Sequence, residues 1–446
     1  MNSRKLLIIS FGLLLICQLG WAQSATQTAA QVKAIGALAA QSGKPVPLVP
    51  AASTPSGFFR PTIWVAGQLS PPKGLGLSPN ALPSFCNKFR TNPTGFQWCP
   101  NAMQVAYGVP FKNTPAGKTF DGTGITIAIV DAFHYANAEA DLANFNATMG
   151  LPACTKANGC FKNVDQNGGQ NFCSPNAGWE LETMLDLQWA HTMAPGAKLI
   201  LVEGCTNSYS DLFTAVTTAV GMADIVSNSY GSGEFGGETG YDPVLNVNKP
   251  ILFSSGDGGA PPEYPCVSPY VTCVGGTSLL PVSTVNFARA SETGWSGSGG
   301  GCSLFDLKPV YQSGYGITVC SSERAAPDIA AVADPNTGAI VYDSGNGGWW
   351  LVGGTSLATP LSAGIFAVDM QARGGKFLHQ INGDLYVRGC HGTGDCVAPG
   401  QINPYFFFDV LVGNNGFPAV PGYDLVTGMG VAFGKSMGGL YGIPTP

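Results

Sequence analysis

The sequence predicts an α/β fold, a mainly parallel sheet with helices on both faces. Three observations predict it. Short apolar runs rich in β-branched residues recur at residues 125–130, 199–202, 225–229, 251–254 and 271–274, the pattern of strands buried on both faces. Helical stretches alternate with them, at residues 181–193 before Pro195-Gly196, at 211–220, and from near Thr355 past Pro360 towards Met370. Such alternation is the mark of a parallel sheet with helical crossovers. Finally, 446 residues at 45% hydrophobic content can bury a large core. In sheets of this kind ligands bind beyond the carboxyl ends of the strands.

Composition excludes several functions. Charged residues make up only 11% of the chain, against roughly 25% in ordinary soluble domains. That argues against a charge-rich disordered chain, and no basic stripe for nucleic acid is present. The net charge of −6 gives no partner by itself. Sparse charge does limit self-repulsion in acid, where carboxylates neutralise and lysines do not.

The first residues carry Arg4 and Lys5, then an apolar stretch over residues 6–19, then Trp21-Ala22 before Gln23. This reads as a secretory signal peptide over residues 1–22, so the chain is expected outside the cell or in the periplasm. Ile16 precedes Cys17 where a lipoprotein signal carries a small residue, which argues against lipid attachment. No later segment is long and apolar enough to span a bilayer. Removing Cys17 leaves 12 of the 13 cysteines, an even number that in a secreted chain points to disulfides. Cys86/Cys99, Cys266/Cys273, Cys302/Cys320 and Cys390/Cys396 are close pairs. The partners among Cys154, Cys160, Cys173 and Cys205 stay open. With four histidines and no C-x-x-C, a zinc site is not expected. Residues 23–98 are rich in Ala, Pro and Ser and show little periodicity, so they read as a linker or short pro-segment rather than a packed domain.

The strongest local signal is GGTSLATP at residues 353–360. A serine opening a helix behind two glycines is exposed to attack chemistry beside backbone N–H groups. An ordinary N-cap serine has the same look, but the apolar helix with its early proline favours a nucleophile at Ser356. The usual base for such a serine is histidine. His134, His191 and His379 lack flanking glycines, and His391 follows the serine inside a short cysteine loop. His191 lies nine residues beyond Glu182, about half a turn round the helix. Glu182 and Asp186, spaced i and i+4, share one helix face. A solvated acidic face is the bland reading of that spacing. In so charge-poor a chain the pair reads instead as a coupled acid/base couple.

Taken together, the segments GTGITIAIVDA, LETMLDLQWAHTMAPGAK, SNSYG, SSGDGG, SPYVTCVGGTSL, GWSGSGGG, PDIAAVADPNTG and GGTSLATP resemble the sedolisins, serine-carboxyl peptidases related to subtilisin. The resemblance runs from about Cys99 to Met437 and implies a subtilisin-like fold over residues 99–446. It implies Ser356 as nucleophile, Glu182 as general base, Asp186 as the group orienting Glu182, and Asp257 as the oxyanion-hole acid. Asp131 ends the first strand where subtilisins keep a triad aspartate; here it reads as structural. The segment FDVLVGNNGFPAVPGYDLVTG resembles the family's calcium loop, which implies one structural Ca2+ on the carboxylates of Asp409 and Asp424 and the backbone oxygens of Val410, Val420 and Gly422. Sedolisins usually carry a large folded prodomain, and only about 75 residues separate the signal from the catalytic core here.

The expected function is that of a secreted, monomeric serine-type endopeptidase cutting unfolded protein or peptide substrates at acid pH, with no nucleic-acid partner. The main alternative is a secreted binding module that kept a protease fold without activity. A neutral-pH enzyme using histidine is disfavoured by the missing histidine motif.

Overall fold

The computed structural model of the chain describes residues 27–69, 83–91, 94–112, 118–375, 380–390, 402–404 and 406–433. Among these, the centre is a ten-stranded sheet. Across it run Phe407–Phe408, Val431–Ala432, Ile329–Val332, Thr272–Pro281, Ile251–Ser254, Ile225–Asn228, Thr126–Ala132, Lys198–Gly204 and Phe161–Asp165, with Arg289–Gly294 paired to Thr272–Pro281. From Val431–Ala432 to Phe161–Asp165 every neighbouring pair is parallel. The predicted α/β class and its subtilisin-like form are therefore the observed ones. The apolar runs are the middle strands, and their burial on both faces explains why they do not alternate.

Chain order reverses at Thr126–Ala132. The chain steps out to Phe161–Asp165, returns to Lys198–Gly204, then continues on the opposite side through Ile225–Asn228 and Ile251–Ser254. Such a switch point leaves a crevice beyond the carboxyl ends of the strands. Asp131 lies at the end of one flanking strand, and Ser229 and Asp257 follow two others.

Two long helices, Ala177–Met193 and Thr355–Ala372, pack on each other and against the strands of the central sheet. Nearly all their residues are buried, which is why neither sequence shows a clean amphipathic stripe. The crossing depends on Gly364, where an added Cβ would stand 2.5 Å from the Met193 Cβ and 3.1 Å from the Ala190 carbonyl. Helix Tyr209–Met222 covers the other face.

The N-terminal region is more ordered than its composition suggests. Thr28 caps helix Ala29–Ser42 by a reciprocal capping box with Gln31. Strand Trp64–Leu69 enters a four-stranded antiparallel sheet with Val46–Pro47, Gly348–Gly353 and Ala339–Asp343. Strand Trp64–Leu69 takes its order from pairing with distant strands, which leaves no periodic stripe in the sequence.

Disulfides join Cys86–Cys99, Cys266–Cys273 and Cys302–Cys320 as the spacing suggested, and the open cysteines pair as Cys154–Cys160 and Cys173–Cys205. The signal peptide, His379, His391 and Cys396 lie outside the described residues. No helix among the described residues is long and apolar enough to cross a membrane.

Replacing Gly364 by leucine forces the two buried helices apart. Overpacking a filled core costs about 1–3 kcal/mol, so the urea midpoint should fall with an unchanged denaturant slope. An unmoved midpoint would show that the crossing has slack.

Candidate active site

Helix Thr355–Ala372 begins on Gly354, whose φ of +114° excludes most side chains. A Cβ there would also fall 2.2 Å from the Thr62 carbonyl oxygen and 2.6 Å from Asp257 Oδ2. The glycine therefore permits both the turn and the close approach of two oxygens. Ser356 follows, fully buried in the first turn. Pro360 has no N–H to give the Ser356 carbonyl four residues back, and the Ser229 hydroxyl stands 3.3 Å from that oxygen.

Glu182 and Asp186 occupy one face of helix Ala177–Met193 with no solvent exposure. Asp186 Oδ1 accepts a 2.8 Å hydrogen bond from Ser229 Oγ, while Asp186 Oδ2 and both Glu182 oxygens have no hydrogen-bond partner. Asp131, also fully buried with both oxygens unpartnered, completes the cluster. Burial pushes the Glu182 carboxyl well above its usual range, the charges of Asp186 and Asp131 push further, and the Ser356 hydroxyl opposes them. Burial raises Asp186 against the Ser229 hydrogen bond, and burial followed by the Asp186 charge raises Asp131. Three carboxyls this close share protons rather than titrate singly.

Asp257 enters from the turn after Ile251–Ser254. Its Oδ1 accepts from the Thr355 N–H at 2.7 Å and the Thr355 hydroxyl at 2.8 Å. Its Oδ2 is unpartnered and faces Gly354. Burial raises its carboxyl to about 7, with the Thr355 hydrogen bonds opposing. Below that pH Oδ2 carries a proton to donate beside the helix N-terminus.

The structure thus brings Ser356, Glu182, Asp186 and Asp257 to one place. Two histidines are engaged elsewhere. His191 Nε2 lies 2.9 Å from the Pro152 carbonyl oxygen, and His134 Nδ1 lies 3.0 Å from a Glu203 oxygen.

Sequence reasoning missed Ser229, although SNSYG contained it, and missed Thr62 altogether. Thr62 Oγ1 stands 2.9 Å from Ser356 Oγ and donates to Ser254 Oγ at 2.6 Å. The Ser356 N–H donates to the Thr62 carbonyl at 3.1 Å, and the Thr62 N–H donates to the Ser229 carbonyl at 3.2 Å. Next to it Arg60 forms a buried ion pair with Glu263. Nothing in a residue-by-residue reading of positions 57–64 marks them as chemical, because their role comes only from where the strand lies.

In the C-terminal loop, Asp409 Oδ2 accepts from the Gly422 N–H at 3.0 Å and Asp424 Oδ2 from the Val420 N–H at 3.2 Å. Both carboxylates therefore close on the same short turn. Burial raises Asp409, and raises Asp424 to about 7. Among the described residues no hydrogen bond ends on the carbonyls of Val410, Val420 or Gly422. Two hard carboxylates drawn onto one turn are donors of the kind Ca2+ takes.

A family model described as the subtilase family, Peptidase_S8, matches residues 167–382, a span holding all four of these side chains. Kumamolisin from a Bacillus species is 30% identical over 403 residues, covering 81% of this chain and 68% of that protein. Sedolisin from a Pseudomonas species is 31% identical over 183 residues, covering 38% of this chain and 28% of that protein. Human tripeptidyl-peptidase 1 is 31% identical over 226 residues, covering 40% and 35%. The solved structure of Pseudomonas sedolisin, a serine-carboxyl proteinase complexed with two molecules of pseudo-iodotyrostatin, superposes with a TM-score of 0.62 at 24% identity, over 76% of this chain and 96% of that one. The fold is that of the subtilisin-like peptidases. Within that class the chain belongs to the sedolisin family of serine-carboxyl peptidases.

The raised carboxyls make stability pH-dependent. In the unfolded chain they titrate near about pH 4, so the folded state binds the extra protons. Their favourable share is complete below that pH and is lost as pH climbs through the folded values, about 7 for Asp257. The urea midpoint should fall between about pH 4 and about pH 8. Asp257→Asn should flatten that fall by up to about 4 kcal/mol. A midpoint that rises over this range would contradict the site's electrostatics.

Proposed function

We propose that the chain is a secreted endopeptidase that hydrolyses unfolded protein or peptide substrates in acid. Ser356 attacks the peptide carbonyl and Glu182 takes its proton. Asp186, held by Ser229, orients Glu182. Asp257 donates to the oxyanion. The observation that carries this reading is a buried serine at a helix N-terminus, surrounded by carboxyl oxygens without hydrogen-bond partners.

The chemistry follows from those environments. A carboxylate base works in acid where imidazole would be protonated, since histidine must be neutral to accept. Burial and the neighbouring charges raise Glu182, so it can take a proton in acid only when the cluster's shared protons sit on Asp186 and Asp131 and leave it ionised. The oxyanion position asks for a donor, and a neutral carboxylic acid can serve as one. Protonated Asp257 beside the Ser356 N–H fills that role. Ionised Asp257 would repel the developing charge.

The five disulfides among the described residues support an oxidising compartment. Asp409 and Asp424 with the carbonyls of Val410, Val420 and Gly422 would hold one Ca2+. The ion would neutralise two buried carboxylates and clamp the loop beside strand Phe407–Phe408, a structural contribution.

Ser356→Ala should abolish digestion of a denatured protein while leaving the fold intact. For the wild type, kcat/KM should peak at acid pH and fall towards neutrality as Asp257 ionises. Asp257→Asn should weaken that fall, and Asp257→Ala should lose roughly a hundred- to a thousandfold in rate. An optimum above neutrality, or equal rates for all three proteins, would sink the carboxylate mechanism.

Chelation should lower Tm, because a ligand held only by the folded state stabilises it, by about 2.7 kcal/mol at a hundredfold excess over Kd. Asp424→Asn should remove the response. A melting curve that calcium and chelator leave unmoved would dismiss the site.

A further inference from the structure

Three further carboxyls meet away from Ser356. Glu234 and Glu238 follow strand Tyr230–Gly231, and Asp306 lies on strand Gly301–Leu307. One oxygen of each stands within 4.8 Å of the others. Glu238 has no solvent exposure and Asp306 only 2%. Among the described residues no lysine or arginine forms an ion pair with any of the three. Arg324, whose charge reaches Asp306, is engaged by Asp328 at 2.6 Å and by the Ala325 carbonyl. Gathering acids in the interior without a counter-charge is unfavourable.

The carboxyls are held so that each keeps an oxygen free. Glu234 Oε1 accepts from Ser303 Oγ at 2.5 Å and from the Leu304 N–H at 2.9 Å, while Oε2 is buried without a partner. Glu238 Oε2 accepts from the Phe235 N–H at 2.7 Å, and its Oε1 is left alone in the same way. Asp306 Oδ2 is also buried and unpartnered, and the Asp306 N–H donates to the Ser303 hydroxyl at 2.9 Å. Hydrogen bonds that orient a carboxylate while leaving one oxygen open are the usual support of a metal ligand. A separate element adds an independent sign. The Tyr264 hydroxyl is fully buried and has no partner, yet the charges of Asp242, Glu238 and Asp306 act on it. A buried donor that feels acceptors it does not bond leaves a position that an ion's water would bridge. With only protein around them, burial pushes Glu238 up to about 9 and Asp306 up to about 7. Protons are therefore the occupant that competes with a cation.

We propose that Glu234, Glu238 and Asp306 bind a second Ca2+, distinct from the ion of the C-terminal loop. Anionic, all-oxygen donors suit a hard cation, and Ca2+ tolerates the irregular geometry that carboxylates from separate segments give. The ion joins the turn after Tyr230–Gly231 to the segment anchored by Cys302–Cys320. Phe235 in that turn stacks on Tyr209 at 5.1 Å and meets Tyr264 edge-on at 5.6 Å, so the clamp also steadies this aromatic cluster. The chelator response assigned above to Asp424 is then the C-terminal ion's share, and the remainder belongs to this site.

The test reads binding directly and needs no activity. The full chain carrying Ser356→Ala is stripped with chelator, freed of it, and titrated calorimetrically with calcium chloride at neutral pH. With Asp424→Asn added, one ion per chain should still bind. Adding Glu238→Gln, or Asp306→Asn in its place, should weaken that binding by more than the roughly tenfold lost with an outer-shell partner. Calcium should raise the Tm of the Asp424→Asn protein and should cease to do so after Glu238→Gln. A folded Asp424→Asn protein that binds no calcium overturns the inference, and so does binding that neither further substitution weakens. Glu238→Gln raising Tm equally in calcium and in chelator would show a cluster that holds protons only, which also overturns it. If Asp424→Asn does not fold, Glu238→Gln alone should remove one bound ion per chain, and an unchanged stoichiometry overturns the inference. None of these outcomes bears on the peptidase reading, which the digestion assays decide.

Discussion

The structure is organised around carboxyl groups buried against one serine. Glu182 and Asp131 stand in the interior with both oxygens free of any hydrogen-bond partner, and Asp186 beside them with Oδ2 free. Burying an ionised carboxylate costs several kcal/mol unless it is paired, so the cluster is comfortable only when it holds protons. That single constraint ties the protonation of the cluster to its burial. Histidine would serve poorly in such a place, since burial lowers its proton affinity, as it does for His191.

Holding such a cluster requires rigid supports on several sides. The carboxyl ends of the central strands supply Asp131, Ser229 and the turn to Asp257, while two buried helices supply Glu182, Asp186 and Ser356. The helices can approach because Gly364 and the small residues around it leave no side chain between them. The serine's turn is possible because Gly354 adopts a backbone conformation closed to larger residues. Loops alone could not hold four side chains to hydrogen-bond tolerance; here Glu182, Asp186 and Ser356 stand on buried helices and Asp257 on the short turn that follows a buried strand.

Much of this was legible in the sequence. The β-branched runs marked the strands because burial on both faces leaves no room for polar residues. GGTSLATP marked the helix start at Ser356 because a strained turn needs glycine and a helix start favours serine. Glu182 and Asp186 were legible because helical spacing alone puts them on one face, and cysteine spacing gave the short pairs. Tertiary structure alone decided the rest. It set Ser229 on Asp186, joined Cys173 to Cys205 across 32 residues, and laid Thr62 over a serine 294 positions away. Such contacts leave no local pattern, because a strand's partner is chosen by backbone hydrogen bonds that any residue but proline can make, and by pockets whose walls come from distant parts of the chain.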